Sequence, residues 1–384
     1  MQMKIVVATD SFKGWMRSDE AGAIIAEALR QNLKDAEIIT IPVADGGEGT
    51  TDAVVRATGG TMREVEVTGP LGDPVTARYG LLPDGRTAVM EMASASGIEL
   101  VPPKRLNPME ASTHGTGELI RAALDRGVRD IVLGIGGSAT VDGGMGMAQA
   151  LGYRLLTADG TECKRGGGAL STVAAIRSDG VIPELADCNL RVACDVTNPL
   201  LGHFGAARVF GPQKGADPEM VEDLERGLGN LAEVWLREGY LKTVDSPGDG
   251  AAGGLGAALR AFCEAEICSG ADLVAEITGF DQEILGADLL VTGEGRTDEQ
   301  TAGGKLCAVL AGKARLAGAR TILISGTLHG DLGEVEELFD AVFAAVRDVG
   351  SLDDALREGR ENLLKAAANV GRALALGREM KEVR

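Results

Sequence analysis

The segments Ala287-Asp-Leu-Leu-Val-Thr292, Thr321-Ile-Leu-Ile-Ser325 and Ala341-Val-Phe-Ala-Ala-Val346 decide the fold. Each is a short, mostly aliphatic run. Each leads into a stretch with helical spacing: about Lys305 to Leu316, near Glu334 to Leu338, and Ser351 onward. Strand followed by helix, repeated, is the rhythm of a parallel sheet covered by helices. The same rhythm opens the chain. A strand at Lys4–Thr9 precedes a helix over about Ser18–Leu33, with Asp19 and Glu20 in the first turn, where the helix dipole favours acids. A second strand, Ala36–Val43, precedes a helical stretch at Glu48–Ala57. Two strands at the start and three at the end make five, each followed by a helix. Five is the count of a flavodoxin-like doubly wound sheet.

Between these halves the pattern changes. From about Arg63 to Glu99, short alternating segments such as Arg63-Glu-Val-Glu-Val67 and Thr87-Ala-Val-Met-Glu91 are broken by turns at Gly69-Pro-Leu-Gly72 and Pro83-Asp-Gly85. That is antiparallel meander character. Helix and strand then alternate again: a helix over about Thr116–Gly127, a strand at Asp130–Ile135 and a helix from about Met145. The sequence therefore predicts an α/β chain of two domains. Residues 1–65 and 285–384 form a discontinuous flavodoxin-like domain, and residues 66–284 form an inserted α/β domain. A site is expected in the cleft between them.

Composition narrows the function. The chain has 384 residues, 45% hydrophobic and 25% charged, in the ordinary range for a globular protein. Aromatic residues are only 3%, so the core must be aliphatic. A net charge of −19 argues against nucleic acid as a partner. It also means that an anionic substrate needs local cations or a metal, and Lys13, Lys214, Arg296 and Lys305 sit in suitable loops. The six cysteines show no C-x-x-C spacing, which fits neither a zinc site nor a disulfide framework, so reduced thiols and a cytoplasmic setting are expected. No charged start leads into an apolar signal region, and no apolar run reaches the ~18 residues of a membrane span.

Three loops carry the chemistry. They read Ile41-Pro-Val-Ala-Asp45-Gly-Gly-Glu48-Gly, Gly134-Ile-Gly136-Gly137-Ser138-Ala-Thr140-Val-Asp142-Gly-Gly and Thr292-Gly-Glu294-Gly-Arg296-Thr-Asp298. In each, an apolar strand runs into glycines beside a carboxylate. A fourth, Cys194-Asp195-Val-Thr-Asn198-Pro, repeats the strand-then-acid pattern without glycine. Glycine lets backbone N–H groups approach an anion, and a nearby carboxylate holds Mg²⁺ or takes a proton; these are the parts of a phosphoryl-transfer site. A lone loop acid is usually a turn residue or a helix cap. Six of them at strand ends (Asp10, Asp45, Asp142, Asp195, Glu294, Asp298) point to a shared site.

Other chemistries fit less well. There is no G-x-x-x-x-G-K-[ST] and no protein-kinase signature. Gly134 to Ala139 matches G-x-G-x-x-A, but Asp142-Gly-Gly interrupts the helix a dinucleotide site needs. A second match, Gly248-Asp-Gly250-Ala-Ala-Gly253-Gly254, opens a helix, and its plainer reading is close helix packing through small residues, with a phosphate role as the other. His114, His203 and His329 share no metal spacing, and Ser138 has no nucleophile-elbow context. An NAD(P)-dependent oxidoreductase of a small hydroxy acid and a non-catalytic small-ligand-binding protein are the rival readings.

The loops resemble one family throughout. Asp10-Ser11-Phe12-Lys13-Gly14, Pro42-Val-Ala-Asp45-Gly-Gly-Glu-Gly-Thr50, Gly134-Ile-Gly-Gly-Ser-Ala-Thr140, Phe210-Gly-Pro-Gln-Lys-Gly215, Ala251-Ala-Gly-Gly-Leu-Gly256 and Thr292-Gly-Glu-Gly-Arg296, in that order, are similar to the bacterial type I glycerate kinases. The resemblance implies a flavodoxin-like domain with a restriction-enzyme-like, mixed-sheet domain inserted. It also implies transfer of the ATP γ-phosphate to D-glycerate, giving 2-phosphoglycerate, with Mg²⁺ as cofactor and a homodimer as an open option. The chain departs from the family pattern at Trp15, Arg17, Val141, Cys307 and Val309.

The site expected from loops and resemblance together is as follows. Asp195, Lys13, Asp45 and Arg296 are the catalytic candidates. Asp10, Ser11, Lys13, Asn198, Lys214 and Arg296 bind substrate. Gly136, Gly137, Ser138, Thr140, Gly253 and Gly254 bind the nucleotide, and Asp142, Glu294 and Asp298 hold the metal.

Overall fold

The computed structural model describes residues 2–12, 14–244, 246–348 and 351–382. The chain begins with β1 (Lys4–Val7) and β2 (Glu37–Thr40). It continues through β3 (Thr61–Thr68), β4 (Pro74–Leu81), β5 (Thr87–Glu91), β6 (Asp130–Gly134), β7 (Arg154–Leu156), β8 (Ala175–Arg177), β9 (Asn189–Ala193) and β10 (Glu266–Cys268). It closes with β11 (Leu289–Thr297), β12 (Arg320–Leu328) and β13 (Ala341–Ala344). Two compact units result: residues 1–45, 56–58 and 271–384, and residues 46–55 and 59–270.

In the first unit, five strands among the described residues pair in parallel in the order β13-β12-β11-β1-β2. Counted within the unit this is 2-1-3-4-5, the flavodoxin-like order. Alternation along β12 shows why both faces are covered. Ile322 and Ile324 pack with Ile5, Val7, Ile25 and Leu29 and with Leu363 and Val370 of the helix Leu352–Glu382. Leu323, between them, points the other way, toward Cys307, Ala311, Val335 and Phe339. Each fully buried Leu or Ile contributes roughly 1.5–3 kcal/mol.

The second unit holds a six-stranded mixed sheet, β10-β9-β6-β5-β4-β3 among the described residues. β3, β4 and β5 are antiparallel, as the meander pattern suggests. β5, β6, β9 and β10 are parallel. Its core includes Trp235 and Phe262 but is mostly aliphatic. Trp235 lies on the helix Pro218–Glu238, which the sequence punctuates at both ends. Asp217 caps its start by accepting from Met220 N at 2.8 Å, and Gly239 ends it at φ 80°.

Two expectations shift. The division between units falls near residues 46–59 and 270, not at 66 and 284. The reason is pairing: β3 bonds β4 from Thr61 onward, so residues 61–65 belong to the mixed sheet. The Thr292–Arg296 segment, read as a loop, is strand, because β12 is long enough to pair with Glu294, Arg296 and Thr297.

All six cysteines are free. No described helix is long and apolar enough to cross a membrane.

Candidate active site

In the second unit the parallel strands end in one row: Glu91 beside Gly134, Gly134 beside Ala193, Ala193 beside Cys268. Beyond this edge lie the candidate loops, since ligands of open α/β sheets gather at the carboxyl ends of strands. After β6 the chain leaves the sheet. Gly136 and Gly137 are exposed, with Gly137 at φ 71°. The N–H groups of Gly136, Gly137 and Ser138 donate to no protein acceptor among the described residues. Successive open amides in such a turn form an anion cradle.

Behind the cradle lies Lys214, on the turn Pro212–Lys214 and only 2% exposed. Its Nζ donates to Ser138 Oγ and to the Thr140 carbonyl, both at 2.7 Å. Burial pushes its ammonium down to about 7, against the opposing pull of the Asp142 carboxylate. Lys214 was expected to meet substrate from a loop surface. It is instead an interior group that leaves the Ser138 hydroxyl proton pointing elsewhere. The buried Thr140 Oγ1 has no hydrogen-bond partner, an unusual state for a buried hydroxyl.

Asp142 is fully buried. Its Oδ2 accepts from Thr113 N (2.8 Å), Thr113 Oγ1 (2.9 Å) and Gly146 N (3.3 Å), and its Oδ1 from Gly144 N (3.2 Å). Burial raises its carboxyl above the usual range, against these bonds. Four protein donors leave it no room as the expected metal ligand; it clamps the loop to the helix starts around it. Gly253 and Gly254 also depart from expectation. Both are buried, and a Cβ on Gly253 would stand 2.1 Å from the Thr140 carbonyl oxygen. Ala252, Gly253 and Gly254 are left-handed, so the helix proper starts after them. They pack the loop from behind, and Gly143 N bonds the Gly253 carbonyl. The helix after Gly134–Ala139 begins only at Met145, so the dinucleotide geometry does not form.

Asp195 follows β9 and is exposed; its Oδ1 accepts from Gly270 N at 2.9 Å. Asn198 Nδ2 donates to the Phe204 carbonyl at 2.9 Å, which fixes the loop after it. Glu91, which the sequence reading left inside the meander, stands in the same row of strand ends. Its carboxylate accepts from Thr51 N (2.8 Å) and Gly49 N (3.2 Å). Burial holds its carboxyl above the usual range, against the opposing pull of these backbone bonds. A signal existed: Glu91 closes an apolar strand just as the chosen acids do.

In the first unit, Asp10 N donates to the Gly293 carbonyl at 2.8 Å, and Asp10 Oδ1 accepts from Ser11 N. The buried Cys307 thiol lies close to Glu294 and Asp10; burial pushes it well above its usual value, and both charges add to that. Glu294 is nearly buried, and its Oε1 accepts from the hydroxyls of Thr297 and Thr301, both at 2.8 Å. Burial raises its carboxyl against these two bonds. Asp298 caps the following turn through Gln300 N and pairs with Lys305 at 3.4 Å and Arg296 at 3.6 Å. Burial by itself would raise its carboxyl, but the Lys305 ammonium, the Gln300 N–H and the Arg296 charge together hold it below the usual range. The Arg296 side chain is 59% exposed. Asp45 is half-buried, and Lys13 lies outside the described residues.

A family model described as the glycerate kinase family matches residues 5–375. The chain belongs to the glycerate kinase family. It is a kinase. Glycerate 2-kinase of Escherichia coli (strain K12) is 46% identical over 376 residues, covering 98% of this chain and 99% of the relative. Glycerate kinase of Halalkalibacterium halodurans is 46% identical over 367 residues, covering 95% and 97%. Among solved structures, a protein assigned as glycerate kinase 2 from Salmonella typhimurium LT2 superposes with a TM-score of 0.90 at 46% identity, covering 99% of this chain and all of that one.

The residues that depart from the family pattern are all accommodated by their surroundings. Trp15 packs edge-on to Phe12 at 5.2 Å and sits over Gly359, where a Cβ would meet its ring at 2.4 Å. Arg17 pairs with Asp19 and Glu20. Val141 and Cys307 are buried in the two cores, and Val309 is half-buried on the helix Leu306–Leu316.

Proposed function

We propose that this kinase transfers the γ-phosphate of ATP to D-glycerate, with 2-phosphoglycerate as main product. The observation that carries the reading is the anion cradle of Gly136, Gly137 and Ser138, backed by Lys214, in a chain of the glycerate kinase family. In a protein of net charge −19, open amides and a buried cation supply the positive potential that phosphates require. Gly136, Gly137, Ser138 and Thr140 are assigned to the nucleotide phosphates. Asp10, Ser11, Lys13, Asn198 and Arg296 are assigned to glycerate, where the Arg296 fork suits a carboxylate. The free thiols support a cytoplasmic setting.

A glycerate hydroxyl does not ionise near neutral pH, so its proton leaves to a positioned acceptor as the phosphoryl group arrives. Asp195 is proposed as that acceptor, with Asn198 orienting the hydroxyl and Asp45 as the second acid. Mg²⁺, when bound, would neutralise phosphate charge during transfer. It takes oxygen ligands and needs only one or two carboxylates beside the phosphates. Asp142 does not fit that role. Glu294 does, since it spends only its Oε1 on the two threonines, and Asp298, paired with Lys305 and Arg296, is kept as the second carboxylate. Among the described residues no three acidic, His or Cys groups form a cage of their own.

Incubation with D-glycerate and ATP-Mg²⁺, followed by ³¹P NMR, tests the reading. The expected result is a 2-phospho product. A dominant 3-phospho product would overturn the regiochemistry, and absence of turnover would overturn the substrate.

A further inference from the structure

We propose that Glu91 is a positioning residue for the anion cradle, acting through the segment Gly46–Thr51. The proposal rests on the reading of that cradle as the nucleotide phosphate site. The helix Thr50–Thr58 begins at Gly49, which has no side chain to cap it. Its first N–H groups need acceptors. They find them 40 and 42 residues away: Thr51 N donates to one carboxylate oxygen of Glu91 and Gly49 N to the other. A single side chain at the end of β5 thus ties down the start of a helix from another part of the chain.

What it ties down is the wall of the cradle. A Cβ on Gly134 would stand 2.6 Å from the Gly46 carbonyl oxygen, and one on Gly136 would stand 3.8 Å from Gly47 Cα. On its other side Gly46 is as tightly placed, with Gly270 Cα 2.8 Å and Ala193 Cβ 3.1 Å from its own Cβ position. The backbone of Gly46-Gly47 therefore lies on the loop that carries the open amides. Gly46-Gly47-Glu48-Gly49 also has much backbone freedom to lose, since three of its four residues are glycine and Gly46 and Gly49 sit at φ 89° and 86°. Packing confines its Gly46 end, and Glu91 bonds the amides of its last residue, Gly49, and of Thr51 just beyond it.

The chemistry sets the variant. Two N–H donors need two acceptor oxygens, which a carboxylate supplies and an amide does not. Glu91→Gln keeps the volume and one bond, and turns an NH₂ group toward the other N–H. Thr51→Pro removes the same bond from the opposite end, and proline is tolerated in a first helical turn. Three readouts are needed: ADP affinity by calorimetry, steady-state kinetics with glycerate and ATP, and hydrogen exchange of the unliganded protein.

For both variants we expect ADP affinity and the KM for ATP to weaken about tenfold, the loss of one charge-assisted bond. The kcat at saturating ATP should stay within about threefold. Exchange should rise within residues 46–51 and nowhere else, with the melting temperature unchanged. ADP affinity within twofold of wild type would overturn the proposal, even if exchange rises. Unchanged exchange at 46–51 would overturn it too. A lower melting temperature with faster exchange across the whole unit would reduce Glu91 to a helix cap and overturn it as well. If the wild type itself bound no ADP, the nucleotide reading would fall and the proposal with it.

Discussion

Two loops with the same sequence design meet opposite fates. Gly134 to Asp142 follows β6, and Gly293 to Asp298 follows the apolar part of β11; each is an aliphatic strand, then glycines, then an acid. In the second unit the neighbours β5 and β9 end level with Gly134, so the chain past it has no strand to pair with. The amides of Gly136, Gly137 and Ser138 stay open, and its acid, Asp142, turns inward onto four protein donors. In the first unit β12 runs on to Leu328, and the glycine segment simply continues as strand. Its backbone pairs with β12, and its acid, Glu294, rests on two threonine hydroxyls. Here the glycines beside a carboxylate keep open amides only where the neighbouring strands stop. The length of the partner strand, not the motif, separates the two.

The comparison breaks first if the chemistry does not belong to the strand ends of the second unit. Asp195→Asn keeps shape and the acceptor for Gly270 N while removing basicity. It should lower kcat by ~10²–10⁴ and leave nucleotide binding nearly intact. A kcat within a few-fold of wild type would move the base to Asp45.

The next effect sharpens the cradle itself. Lys214→Met removes the ammonium behind Ser138 and should weaken kcat/KM by about ten- to a hundredfold, mostly through the KM for ATP. The pH dependence carries the same signature. The Lys214 ammonium is held to about 7 in the folded protein against 10.5 unfolded. Its charge is lost as pH rises through about 7, so the wild-type KM for ATP should climb there, and the Lys214→Met profile should not share that climb. Stability runs the other way. The unfolded chain keeps this proton to higher pH, so the folded state pays a cost that is complete below about 7 and is relieved as pH rises toward 10.5. Urea titrations of wild type and variant across that window check the sign.

The smallest effect belongs to the loop that stayed in the sheet. Glu294→Gln retains an acceptor for Thr297 and Thr301, so melting should not move. Only the Mg²⁺ concentration needed for half-maximal rate should rise, by less than about tenfold. A collapse of activity would make this strand the equal of the cradle and erase the contrast.

Much of this was written in the sequence. Hydrophobic periodicity marked the five strands of the first unit and the helices after them, because period-2 and period-3.6 patterns survive without any knowledge of neighbours. The meander at β3–β5 and the punctuation of Pro218–Glu238 by Asp217 and Gly239 were equally local. The glycine-rich loops were legible as candidates for an anion site because glycine and carboxylate type are local chemistry too.

What only the tertiary structure decided were the directions. Whether an acid faces in or out, as at Asp142, depends on donors brought from Thr113, 29 residues back. Whether Lys214 is a surface cation or a buried one depends on the loop 74–76 residues before it. Whether Gly253 touches a ligand or the Thr140 backbone depends on how two loops stack. A sequence carries residue type and spacing. Burial and hydrogen-bond partnership are properties of pairs distant along the chain, and they come into being only when the strands have ended where they end.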